Sequence, residues 1–181
     1  MTLVVATTLW QACVPRYTLN GASIDYNVYK TISFGDFPIR AALVYPPLQS
    51  MFENRMTDMI AQQTRLSVID GNNADLRMEG EITNYQLSPQ AVGEDAYASQ
   101  TRLTITVKVK YINNKNQNLS KDLSFSAYRD FSSSELLVDV QDELCNQICK
   151  DLADLIFNAT LGDWYFFMFQ YRVLSVHGCM D

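Results

Sequence analysis

Residues 99–114, "SQTRLTITVKVKYINN", alternate apolar and polar side chains almost without a break. Leu103, Ile105, Val107, Val109 and Tyr111 share one parity; Arg102, Thr104, Thr106, Lys108 and Lys110 share the other. Successive side chains of a strand point to opposite faces, so this segment is a strand with one buried face and one wet face. A chain that contains it must build a sheet covered on one side only. The rest of the sequence has to supply the cover and the neighbouring strands.

The neighbours are legible by the same rule. "ADLRMEGEITNYQLSP" (74–89) alternates strictly through Ile82, then shifts parity to Tyr85 and Leu87. A one-residue slip exchanges the two faces, so a bulge is expected near Thr83–Asn84. "NNKNQN" (113–118) is a polar hairpin tip, and "LSKDLSFSAYRDF" (119–131) returns with Leu123, Phe125, Ala127, Arg129 and Phe131 on one parity. "VYKTISFGDF" (28–37) and "RLSVID" (65–70) read as further strands, the second closed by the turn cluster Asp70–Asn73.

Two segments change period. In residues 45–64, Leu48, Phe52, Met56, Met59 and Ile60 recur at three and four, and Pro46–Pro47 suit a helix start. Its methionines read as core packing. Residues 132–161 form a long helix with the stripe Val140, Leu144, Ile148, Leu152, Leu155 and Ile156. Ser132 and Glu135 match a capping box, and Asp139, Asp142 and Glu143 suit the positive end of the helix dipole. The expected fold is α+β: two α-helices packed on one face of a largely antiparallel (mixed) four- to five-stranded β-sheet, over residues 28–164.

Composition narrows the function. At 181 residues and 48% hydrophobic, the chain can bury one real core. Its net charge of −6 speaks against a nucleic-acid partner. No apolar run approaches the length of a spanning helix. No catalytic constellation is visible: the single histidine, His177, lies four residues from the end, and the carboxylates Glu79 and Glu81 sit on a strand's wet face. Glycine-rich phosphate loops are absent. Cys145 and Cys149 are one helical turn apart, at about 5–6 Å between Cβ atoms, which is too far for an unstrained disulfide. They read as two small, half-buried hydrophobes. A metal site joining them to His177 and Cys179 lacks zinc-like spacing, so no metal and no cofactor is expected.

The N-terminus carries an address. "TLVVATTLWQAC" is a short apolar run that ends in Ala12 and Cys13. That is the layout of a bacterial lipoprotein signal, although Trp10 stands where leucine is usual and no basic residue precedes Arg16. Residues 1–12 are then a cleaved signal peptide, Cys13 the lipidation site, and residues 13–27 a polar tether. The other reading is a short buried N-terminal strand with an incidental cysteine.

Taken in order, "YTLNGASI", "TISFGDFPIRAALVYPPLQSMFENRMTDMIAQQTRLSVID", "EGEITNYQLSP", "RLTITVKVKYINN" and the helix ending in "LGDW" resemble the LptE-like lipopolysaccharide-assembly lipoproteins, in their Bacteroidetes form. The resemblance runs from about Cys13 to Trp164. It implies a non-enzymatic lipoprotein, anchored by lipid in the outer membrane and facing the periplasm. Its partners would be an LptD-type β-barrel, which it plugs and helps to assemble, and lipopolysaccharide. Under that reading the wet sheet face meets a polar barrel lumen. Lys108, Lys110, Lys115 and Lys121 would then meet lipid A phosphates or barrel carboxylates. Residues 165–181 continue past the resemblance and have no assigned role. A pilotin-like assembly factor for another outer-membrane protein, a periplasmic hydrolase and a secreted binding protein are the alternatives from other classes.

Overall fold

The computed structural model describes residues 24–91 and 98–162. Strand β1 (Thr31–Phe34) leads to helix α1 (Pro47–Gln63) and the short strand β2 (Ser67–Val68). Three long strands follow: β3 (Leu76–Ala91), β4 (Ala98–Asn113) and β5 (Lys121–Ser132). Helix α2 (Leu137–Thr160) is the last element, and a 3-10 turn, Gln117–Leu119, sits in the β4–β5 hairpin. The sheet order is β2-β1-β3-β4-β5. β1 is parallel to both β2 and β3, and the β3–β4 and β4–β5 pairs are antiparallel. This is the α+β fold the periodicity predicts, with five strands.

Both helices cover one face. All five apolar residues on the odd parity of β4 are buried, and so are the five that define the stripe of α1. The methionines Met56 and Met59 are core residues, and Phe37 meets Phe52 edge to face with ring centroids 5.1 Å apart. The slip in β3 falls where the sequence places it: the pairing shifts between Ile82 and Asn84, so that Ile82 and Tyr85 both face the core.

Several local readings change. The strand expected over 28–37 is regular only over four residues; past it the chain keeps single backbone bonds to β3, from the Gly35 N–H to the Met78 carbonyl and through an isolated bridge of Ile39 to Ile82. The strand expected over 65–70 pairs over two residues. Helix α2 starts at Leu137, and no side chain caps it. Ser132 is still paired in the sheet, opposite Gln100, and its Oγ lies 3.3 Å from the Ser134 backbone nitrogen, so the capping box does not form. Residues 132–135 close a turn instead, with the Glu135 N–H donating to the Ser132 carbonyl. Within α2 the buried stripe turns toward Ala153 and Phe157 in its last turns, which leaves Leu155 44% exposed. Cys145 and Cys149 are fully buried rather than half-buried.

The start of β1 is fastened from outside. The Asp75 carboxylate accepts the backbone N–H groups of Lys30 (2.7 Å) and Thr31 (3.1 Å), and the Thr31 hydroxyl accepts the Asp75 N–H. Ile24 and Tyr26, assigned by sequence to the tether, pack partly against the core. Cys13, residues 1–12, His177, Cys179 and the extension at 165–181 lie outside the described residues.

Candidate functional site

The face of the sheet away from the helices is the candidate site. Registers set its rows. Across β3, β4 and β5 they run Glu79–Lys110–Asp122, Glu81–Lys108–Ser124, Asn84–Thr106–Ser126, Gln86–Thr104–Tyr128 and Ser88–Arg102–Asp130. Every one of these side chains is polar. No described element packs over them, so a surface three strands wide stays wet.

The upper rows carry one cluster of interacting side chains. Arg102 grips Asp130 through two hydrogen bonds, of 2.7 and 2.8 Å, and its guanidinium carbon lies 3.8 Å from the centroid of the Tyr128 ring. Arg102 holds the Asp130 carboxyl below its ordinary value. Tyr128 itself is 50% exposed. Sequence parity puts all three residues on the wet face, but only the register of the hairpin shows that Arg102 and Asp130 are opposite neighbours.

The lower rows form a shallow, open depression of about 700 Å³. It is lined by Asp36, Glu79, Glu81 and Asp122 on the acidic side and by Arg77, Lys108 and Lys110 on the basic side. Four carboxylates against three cations make this a mixed surface rather than a basic patch. Arg77 donates to Glu79 at 2.9 Å, and Lys110 lies 4.0 Å from the same carboxylate.

Of the four lysines singled out by sequence, the fold brings two together. Lys108 and Lys110 stand in adjacent rows and line the depression. Lys115 sits at the hairpin tip, where its ammonium pairs with Asp75 at 3.1 Å and donates to the Val28 carbonyl at 2.6 Å. Lys121 lies on the other parity and donates to the Ala159 carbonyl at 3.1 Å, at the negative end of α2. Lys115 and Lys121 therefore already serve the fold. The acidic partners Glu79, Glu81 and Asp122 escape a sequence reading as site residues, since a solvated strand face accounts for them equally well.

Among the described residues, no cluster of three or more His, Cys, Asp or Glu side chains is placed to hold a metal ion. No described helix is long and apolar enough to cross a membrane. Burial pushes the Cys145 thiol up to about 11 and the Cys149 thiol up to about 12, so neither is a ready nucleophile.

Residues 29–160, well over half of the chain, match the family LptE, described as lipopolysaccharide-assembly. The chain belongs to the LptE family. LptE is a non-enzymatic lipopolysaccharide-assembly family, and the chain's general role follows from it. No curated protein matches the chain by sequence. Among solved structures, a hypothetical protein of Chlamydia trachomatis aligns with a TM-score of 0.52 at 7% identity, over 75% of this chain and 99% of that one. A minor lipoprotein of Acinetobacter baumannii gives 0.49 at 16% identity, over 71% and 90%. The rare lipoprotein B of Shewanella oneidensis gives 0.46 at 12% identity, over 80% and 99%. At these identities the likeness concerns the fold alone, and the Chlamydia structure carries it.

Proposed function

We propose that this LptE-family chain is an outer-membrane lipoprotein that faces the periplasm and binds an LptD-type β-barrel, assisting its assembly and the delivery of lipopolysaccharide. Residues 1–12 are its signal peptide, Cys13 its lipidated first mature residue, and the residues from Cys13 up to Ile24, where packing against the core begins, its tether. Several acyl chains on Cys13 would make the attachment stable, where a single chain binds only marginally.

The observation that carries the reading, beside family membership, is the open sheet face. A polar surface three strands wide, with no cover among the described residues, suits burial against the polar inner wall of a barrel. Its charges are mixed in sign, so it complements a mixed polar wall rather than a uniformly acidic one. Lys108, Lys110, Lys115 and Lys121 are the proposed contacts for lipopolysaccharide phosphates or barrel carboxylates. The geometry favours Lys108 and Lys110. Both line the depression, and among the described residues their one ion pair is the long contact of 4.0 Å from Lys110 to Glu79.

Affinity purification of a C-terminally tagged copy from detergent-solubilised outer membranes, with mass spectrometry of what accompanies it, tests the proposal. A stoichiometric LptD-type barrel supports it. A preparation that carries another outer-membrane protein instead points to the pilotin-like alternative, and one that carries no barrel overturns the reading.

A further inference from the structure

Strand β5 ends the sheet, and its outer edge is long and regular. It runs over twelve residues without a proline and pairs with β4 with no register shift. The carbonyls of Tyr128 and Ser132 are bonded outside the sheet, to the Arg129 side chain and to the Glu135 N–H. A residue's N–H and C=O point to the same side of a strand. The even-numbered residues of β5 therefore present their backbone groups outward. Among the described residues, those two bonds are the only ones along this edge. Such an edge is a template for another strand.

The edge is complementary to itself. A two-fold axis normal to the sheet at Ala127 lays a second copy antiparallel, with the helices of both copies on one face. Eleven of the twelve residues then pair, and Ser124 stands opposite Asp130. On the open side each aspartate meets a hydroxyl: Asp130 faces Ser124, and Asp122 faces Ser132. On the helix side Leu123 faces Phe131, and Phe125 faces the Arg129 guanidinium. These four side chains are only partly buried in a single copy. They belong to the odd residues, which form the closer, non-hydrogen-bonded pairs, and apolar and cation–aromatic neighbours stabilise a ladder there. The small side chain of Ala127 meets itself on the axis.

Leu155 extends the seam. It lies one helical turn from Asp151, which Arg129 of β5 reaches at 2.5 Å, so it stands on the flank of α2 turned toward β5. It is 44% exposed in a single copy. Across the axis the second α2 runs antiparallel alongside it.

We infer that this chain forms a two-fold dimer through β5, in the register that sets Ser124 opposite Asp130. The ladder alone supplies about ten hydrogen bonds, as many as a typical specific interface carries. Other registers that keep the faces aligned do worse. Centred on Ser126, the pairing opposes Asp122 to Asp130; centred on Phe125, it opposes Lys121 to Arg129. Like charges directly opposite destabilise a ladder. Centred on Tyr128, it pairs only nine residues. Other occupants also fit less well. A strand of a closed barrel has both edges paired already. The chain's own continuation past α2 would lie parallel to β5, and β5 runs parallel to β1 with both helices on one face. β1–α1–β2 steps away from β3, so a crossover of the same hand from β5 through α2 steps back toward β4, which is already in place. An outward step would be left-handed, against the hand of about 98% of such connections. The dimer leaves the open polar face of both copies uncovered and does not depend on the barrel partnership.

Sedimentation velocity and amide hydrogen exchange on the full lipoprotein in detergent, free of any barrel and over a dilution series, test the inference. A monomer–dimer equilibrium in the micromolar range is expected, with the even-numbered β5 amides slowing by about an order of magnitude as the dimer fills. Ser126→Pro removes one outward N–H, which an edge strand tolerates; it should abolish the dimer while the circular dichroism stays that of the parent. Ser124→Lys should tighten the dimer and Ser124→Asp should weaken it, each by about fivefold or more, because each change meets Asp130 twice across the axis. A monomer throughout that range would overturn the inference. So would a dimer that survives Ser126→Pro, or one that responds alike to lysine and aspartate at position 124. Even-numbered β5 amides protected equally at every dilution would also overturn it, since a strand from within the same chain would then cover the edge.

Discussion

Asp75 and Lys115 form an ion pair of 3.1 Å that ties the chain just before β3 to the tip of the β4–β5 hairpin. The same carboxylate holds two backbone N–H groups at the entry to β1, and the same ammonium holds the Val28 carbonyl. Three segments far apart in sequence are thus fixed where the N-terminal segment joins the domain.

The hydrogen bond from the Lys30 backbone, chiefly, holds the Asp75 carboxyl below its ordinary value of 3.8. Its contribution to stability is therefore complete above about pH 4 and is lost as pH falls through the lower folded-state value. Asp75→Asn should cost about 1–3 kcal/mol at neutral pH, because charge-assisted bonds to backbone groups disappear. It should also flatten the acid limb of the stability curve. Urea titrations from strongly acidic to neutral pH check both; a variant whose acid limb matches the parent would contradict the assignment.

Gly80 is closed to any side chain. A Cβ there would meet the Lys108 carbonyl oxygen at 2.0 Å and the Phe37 ring at 2.9 Å. Neither neighbour can yield, since one is ladder backbone and the other is packed on Phe52. Gly80→Ala should destabilise by about 2 kcal/mol or more, beyond the usual cost of overpacking an adaptable site. Gly71, at φ 92° with open space around it, should tolerate Asn far better than Val. Thermal or urea unfolding of the three variants tests the ranking.

Cys145 and Cys149 should be silent toward thiol reagents while the protein is folded. Burial raises both thiols well above neutral pH and shields them from the reagent. In a Cys13→Ser, Cys179→Ser background, a disulfide-exchange reagent at mildly alkaline pH should detect neither thiol in the native state and both after denaturation. Labelling of the native protein at the rate of the denatured one would contradict the packing of α2.

The lysines separate into two classes that stability measurements can distinguish. Lys121→Met removes a hydrogen bond to the last turn of α2 and should cost about 0.5–1.5 kcal/mol. Lys108→Glu and Lys110→Glu lie on the wet face and should change stability by less than about 1 kcal/mol. The same two reversals should weaken lipopolysaccharide binding, which makes them informative about function where Lys121→Met is not. Unchanged lipopolysaccharide affinity in the double reversal would remove these lysines from the proposed contact set.

The parity of residues 99–114 makes the sheet legible, because burial on one side leaves a period of two along the strand. The stripe of α1 is legible by its own period, down to each of its five buried residues. The bulge near Asn84 is legible because a parity shift has one cheap structural cause, an extra residue in the strand. Three features are not legible. The start of α2 is hidden because Ser132 and Glu135 satisfy a capping pattern locally, while cross-strand pairing with Gln100 holds Ser132 in the sheet. Leu155 reads as core because a helix stripe drawn from sequence stays straight, whereas the packing on α2 turns along its length. The split among the lysines is hidden because alternation fixes a face but not a register. Only the register reveals that Lys108 and Lys110 stand beside Glu81 and Glu79, and only the tertiary fold brings Lys115 to Asp75.

Site-specific photocrosslinking in cells tests the central claim most directly, namely that the open sheet face meets the barrel. A photoreactive residue at Thr104 or Ser126, in the middle of that face, should give an adduct with an LptD-type barrel. The same residue at exposed positions of α2, such as Leu155 or Asn158, should give none. Adducts from the helix side with none from Thr104 or Ser126 would contradict the account and place the barrel against the opposite surface.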